Sequence, residues 1–106
     1  MITIRPLKEA DISPVATLLH HHWTNERGMT YTLSWAKNYV THGHATDFKK
    51  DQFFVITDNN TTQGCLAIVV YEGNVAEIRD FVIIPDARGH GLGDKLLQHA
   101  LAWCYH

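Results

Sequence analysis

The chain has 106 residues and is 45% hydrophobic, which suits one compact core; a second core cut from this length would be too small to hold itself together. Nine Lys and Arg against eleven Asp and Glu give a formal charge of -2, which lacks the basic excess of a nucleic-acid footprint and argues against DNA or RNA as a partner. The opening Met1-Ile2-Thr3-Ile4-Arg5-Pro6 is not a signal peptide, and no apolar run approaches the roughly 18 residues of a spanning helix, so no membrane role is expected. Cys65 and Cys104 each lie inside an apolar run, as small buried hydrophobes of a reducing compartment do, and the expected location is cytoplasmic.

In chain order, Ile2 and Ile4 alternate with Thr3 and Arg5, a period of two that predicts a short strand closed by Pro6. From Asp11 to Trp23 the apolar residues Ile12, Val15, Leu18 and Leu19 recur at helical spacing, with Pro14 tolerated in the first turn. A second helix is predicted over Leu33 to Val40, with Trp35, Ala36, Tyr39 and Val40 sharing a face and Gly43 as its stop. Gln52 to Thr57 and Gly64 to Tyr71 read as two strands of a hairpin around the turn formers Asp58-Asn59-Asn60-Thr61-Thr62. Glu72-Gly73-Asn74 makes the next turn, and Val75 to Ile84 a third long strand stopped by Pro85. Leu92, Leu96, Leu97, Ala100, Leu101 and Cys104 then form a helical stripe. The order βααβββα, without repeat or linker, describes one α/β (α+β) domain over residues 1–106.

Between the last strand and the last helix stands Pro85-Asp86-Ala87-Arg88-Gly89-His90-Gly91-Leu92-Gly93. Three glycines let the backbone turn sharply and bring its N–H groups against a ligand. The helix N-terminus adds partial positive charge, and Arg88 adds a full one at the rim. Two successive phosphates suit such a row of donors. A tight connection without ligand is the bland alternative; a dinucleotide fingerprint requires a different glycine spacing.

These residues resemble the GNAT family of N-acetyltransferases, whose cofactor signature of Arg or Gln, two residues, Gly, one residue, Gly or Ala is met by Arg88, Gly91 and Gly93. Ile83 and Pro85 stand where the family has its Val-x-Pro strand end, and Ile4-Arg5-Pro6 with Glu9-Ala10-Asp11-Ile12 resembles its usual start. The resemblance implies a GNAT-like, mainly antiparallel mixed sheet and acetyl-CoA as acyl donor. It implies that the donor lies as a pseudo-strand on the backbone of Phe81, Val82 and Ile83, with its pyrophosphate on Gly89, His90, Gly91, Leu92, Gly93 and Asp94. Asp94 departs from the family's small polar or basic residue there; a carboxylate suits the helix dipole yet repels a phosphate, unless it points outward.

The resemblance also places Glu77 where some members carry the glutamate that removes the proton of the acceptor amine, usually through water. The plainer role for Glu77 is an ion pair with Arg79 on the same strand face. The family's acceptor site implies Trp23, Tyr31 and Trp35 as substrate contacts, against core packing as the competing role. His20-His21-His22 cannot all reach one metal from a helix, so a solvated helix end is expected and no metal; His42 and His44 show no specific spacing either.

Family members continue past this helix with a strand, a helix and usually two more strands, and the sequence stops at Trp103-Cys104-Tyr105-His106. The expectation is a truncated chain or a homodimer whose partner covers the open sheet edge. The implied activity is transfer of acetyl to a primary amine of a small molecule or peptide. The alternatives are a CoA-binding regulatory module without turnover and a structural domain that merely shares the turn.

Overall fold

The computed structural model describes residues 1–42 and 50–105; Gly43, His44 and His106 lie outside the described residues. Its elements are β1 (Ile2–Pro6), α1 (Ile12–Glu26), α2 (Leu33–His42), β2 (Lys50–Asp58), β3 (Thr61–Tyr71), β4 (Val75–Ile83) and α3 (Leu92–Cys104), with short 3-10 turns at Glu9–Asp11 and Pro85–Ala87. The order is the expected βααβββα. The four strands form one sheet in the order β1-β2-β3-β4, and every pairing is antiparallel.

Several elements are longer than hydrophobic spacing indicates. Helix α1 continues past Trp23 to Glu26 and stops where Gly28 adopts a left-handed φ of 64° and Met29 N–H bonds the Trp23 carbonyl at 2.8 Å. The β2–β3 connection needs only Asn59 and Asn60, with φ of 49° and 70°, the paired left-handed residues of a two-residue hairpin; Thr61 and Thr62 therefore join the strand. Strand β4 ends one residue early at Ile83, while Ile84 N–H still bonds the Gln63 carbonyl at 2.9 Å.

The sheet is covered on both faces. On one, Val15, Ala16, Leu19 and Trp23 of α1 and Ala36 and Val40 of α2 pack on Phe53, Val55, Cys65, Ala67 and Val82. On the other, Leu92, Leu96 and Ala100 of α3 pack on Phe54, Ile56, Leu66 and Ile68. Alternation along β2 and β3 sends neighbouring residues to opposite cores, which is why both strands read as unbroken apolar runs. Cys65 is buried and Cys104 half-buried, both as free thiols.

The start of α1 is tied to β1 by charge. Arg5 donates both terminal nitrogens of its guanidinium to the buried Asp11 carboxylate, which also accepts Lys8 N–H at 2.8 Å. The Arg5 guanidinium holds the Asp11 carboxyl below the usual carboxylate range. Among the described residues no helix is long and apolar enough to cross a membrane.

Candidate functional site

The glycine-rich turn is built as an open cradle. Gly89 and Gly91 take left-handed φ of 83° and 78°, and a Cβ at either would meet nothing within 4 Å, so conformation and not crowding requires glycine. Gly91 caps α3, leaving the N–H groups of the helix's first turn without partners within the helix. The third glycine differs: a Cβ on Gly93 would lie 3.5 Å from Phe81 Cζ and 3.7 Å from Ile83 Cγ1, so this turn rests on β4 side chains. Leu92 sends its side chain into the α3 core and can offer a ligand only backbone. His90 and Asp94 are exposed. The arrangement of orphan donors, helix dipole and open glycines fits an extended anion.

Strand β4 forms an edge of the sheet, and its pleat is broken beside this turn. Cys65 stands opposite Val82 and Ala67 opposite Arg79, so Asp80 and Phe81 together face Leu66 as a bulge. Asp80 carries a left-handed φ of 51°, strained for a non-glycine residue. The bulge sends Asp80 toward α2 and Phe81 toward α3, as their contacts with Tyr39 and Gly93 show. Phe81 remains 40% exposed, whereas Val82 is buried and Ile83 half-buried.

Arg88 lies at the junction of β4, the turn and α1. Its Nε donates to the Ile83 carbonyl at 2.8 Å, and its Nη2 reaches both Glu26 oxygens at 2.8 and 3.0 Å. Glu26 also bonds His22 Nδ1 at 2.8 Å. Arg88 first, and His22 second, hold the Glu26 carboxyl below its ordinary range. A groove of about 760 Å³ runs from Ser13 and Thr17 of α1 to Arg88, and a smaller one of about 370 Å³ lies between Glu26, Phe81, Val82 and Gly93.

A profile of the acetyltransferase (GNAT) family matches residues 16–106. The chain belongs to the GNAT acetyltransferase family. No curated protein is similar enough to count as a match. Among solved structures, a possible acetyltransferase from Clostridium difficile 630 superposes with a TM-score of 0.81 at 15% identity, over 98% of this chain and 71% of its own. A GNAT acetyltransferase from Staphylococcus aureus Mu50 gives 0.79 at 14% identity, over 99% and 66%. A GNAT acetyltransferase from Brucella melitensis, solved in complex with acetyl-CoA, gives 0.74 at 16%, over 99% and 69%. At these identities the likeness is one of fold, and this GNAT chain spans about two thirds of the length of such neighbours.

The remaining candidates of this GNAT chain fall on the α2 side of β4. Glu77 is exposed; its Oε1 accepts the Tyr71 hydroxyl at 2.9 Å and lies 3.5 Å from Arg79 Nε, the ion pair expected from strand spacing, with Tyr71 added. Of the three aromatic residues, Trp23 is buried, whereas Tyr31 and Trp35 are 41% and 42% exposed. Trp35 therefore does not share the buried face of Ala36 and Val40: it stacks on Tyr31 at 4.1 Å and on Tyr39 at 5.3 Å, and Trp23 meets all three rings edge-on. His21 and His22 bond Asn25 and Glu26 one turn on, and among the described residues no three His, Cys, Asp or Glu side chains gather as a metal site.

Sequence reasoning missed two pairings. One is Glu26 with Arg88; the other is Tyr39, whose hydroxyl donates to Asp80 Oδ2 at 2.5 Å. Burial first, and Asp80 second, push the Tyr39 phenol well above its usual range, so it stays a donor. Nothing in hydrophobic spacing signals either pair; an acidic residue one turn past an amphipathic helix face is ordinary surface composition.

Proposed function

We propose that the chain is the cofactor-binding portion of an acetyl-CoA-dependent N-acetyltransferase acting on a primary amine of a small molecule or peptide. The observation that carries this is the cradle itself: two left-handed glycines opening the α3 N-terminus one short 3-10 turn after β4, with Arg88 at the rim, in a chain of the GNAT family. Acetyl-CoA, present in the Brucella melitensis neighbour, supplies the acetyl thioester.

The pyrophosphate rests on the N–H groups from Gly89 to Asp94, where a helix N-terminus stabilises negative charge. Asp94, exposed on the first turn, keeps its charge on the solvent side. The backbone of Phe81, Val82 and Ile83 offers the donor's pantetheine amides a strand edge, and Phe81 gives it an apolar wall. From Ile83 to Asp80 is about 10 Å at roughly 3.3 Å per residue, which brings the far end of the donor to the bulge.

An amine must be neutral to attack a thioester, so a base near the bulge raises the rate. Glu77 takes this role through water, with Arg79 and Tyr71 fixing its carboxylate. A second reading gives the proton to Asp80, which lies next to Phe81 and is oriented by Tyr39. The exposed ring stack of Tyr31 and Trp35, backed by Trp23, forms a wall for the acceptor. Thiol release from acetyl-CoA across a panel of primary amines tests the activity. Amine-dependent release is the expected result; saturable binding with no release from any amine would instead favour a CoA-binding regulatory module.

A further inference from the structure

We propose that Glu26 is an anion built into the cofactor site, a residue that sets acyl-CoA affinity by holding the face of Arg88 that a phosphate would take; this rests on the cofactor reading above. Three observations carry it. First, the contact is made between parts of the chain 62 residues apart, and its Arg88 end belongs to the signature turn. Secondly, both Glu26 oxygens lie on the one nitrogen Nη2, and a guanidinium N–H donates to carboxylate and phosphate oxygens alike. Thirdly, Glu26 lines the same small groove as Phe81, Val82, Ile83 and Gly93, so its charge faces the space in which the donor's polar groups lie.

The consequence follows from charge. Arg88 is the cation at the rim of the turn, and Glu26 neutralises it. An incoming pyrophosphate competes with the carboxylate for Nη2 and is repelled by it at close range. The structure also supplies a landing place. Glu26 Oε2 bonds His22 Nδ1, one helical turn back on α1, so the carboxylate can give up Arg88 and remain hydrogen-bonded. Arg88 keeps its Nε bond to the Ile83 carbonyl during such an exchange or yields it to the donor's amide. Glu26 and His22 act on affinity and not on the reacting atoms. A diphosphate carries more charge to Arg88 than a singly charged group and displaces the carboxylate more readily, so the device favours diphosphates.

The test is titration calorimetry of acetyl-CoA against the wild-type chain, Glu26→Gln, Arg88→Gln and the double variant, each checked for cooperative unfolding. Gln keeps the shape and removes the charge. Exposed ion pairs are worth about a factor of two to five in an equilibrium constant, so Glu26→Gln is expected to tighten binding by roughly two- to fivefold. The gain should shrink in the Arg88→Gln background, because the competition runs through that guanidinium. Unchanged or weaker binding by Glu26→Gln overturns the proposal and leaves the cofactor site standing, as does an equal gain with and without Arg88. Binding by none of the four chains overturns the cofactor reading and this inference with it.

Discussion

Tyr39 of α2 donates its hydroxyl to the Asp80 carboxylate across 2.5 Å, and so fastens a helix to the bulge that interrupts β4. Asp80 also pays for a left-handed backbone, with φ of 51°, and its own carbonyl accepts the buried Cys65 thiol at 3.3 Å. Strain held by specific partners at such a point marks a position whose geometry matters. Tyr39→Phe keeps the ring stack but strands the carboxylate, and should cost about 1–2 kcal/mol in denaturant unfolding. A loss below a few tenths would mean that the bulge stands without this contact.

The two carboxylates of β4 are separated by kinetics. With Glu77 as base, Glu77→Gln should lower kcat by about 10²-fold or more while leaving acetyl-CoA affinity unchanged, and Asp80→Asn should have the smaller effect. The reverse ranking in steady-state assays would assign the proton to Asp80.

Trp23 and Trp35 should part company in the same way. Trp23 is buried among three rings, so Trp23→Ala should destabilise the fold by about 3–5 kcal/mol. Trp35 is 42% exposed, so Trp35→Ala should cost far less stability and act chiefly on the KM for the amine. An unaltered KM would return Trp35 to a purely structural role.

Gly64 owes its identity to crowding: a Cβ there would lie 2.5 Å from the Val82 carbonyl oxygen and 2.6 Å from Ile83 Cδ1. Gly64→Ala must push β4 outward, at a cost of about 1–3 kcal/mol. Thermal unfolding together with acetyl-CoA titration reads both effects, and a variant as stable as wild type would show that β4 yields freely.

The Arg5–Asp11 pair predicts an acid limb. The folded-state pKa of Asp11 is depressed, so its contribution to stability is fully present above the unfolded-state value near 4 and is lost as pH falls through the folded value. Unfolding measured from pH 6 down to pH 2 should show this loss, and Asp11→Asn should be less stable at pH 6 but flatter with pH. An unchanged slope would remove Asp11 from the account.

Much of this was legible in the residues. Period-two alternation in Ile2 to Arg5, the apolar runs of β2 and β3, and the glycine spacing after Pro85 are local signals, and local signals survive folding. Element ends were less legible, because Asn59-Asn60 suffices for the turn within a run of five polar turn formers. Glu26 with Arg88 and Tyr39 with Asp80 were not legible at all: partners 62 and 41 residues apart meet only once the helices pack on the sheet. The bulge was hidden too, since nothing in Arg79-Asp80-Phe81-Val82 marks where the pleat breaks.

Whether the glycine cradle holds acetyl-CoA is decided by calorimetric titration of the purified chain, repeated with Gly91→Glu. A glutamate at Gly91 puts a carboxylate at the mouth of α3, in the space that the open cradle offers an anion. Equimolar binding by the wild-type chain is expected, weakened at least about tenfold in a Gly91→Glu chain that still unfolds cooperatively. Equal binding by both chains, or none by the wild type, would contradict it.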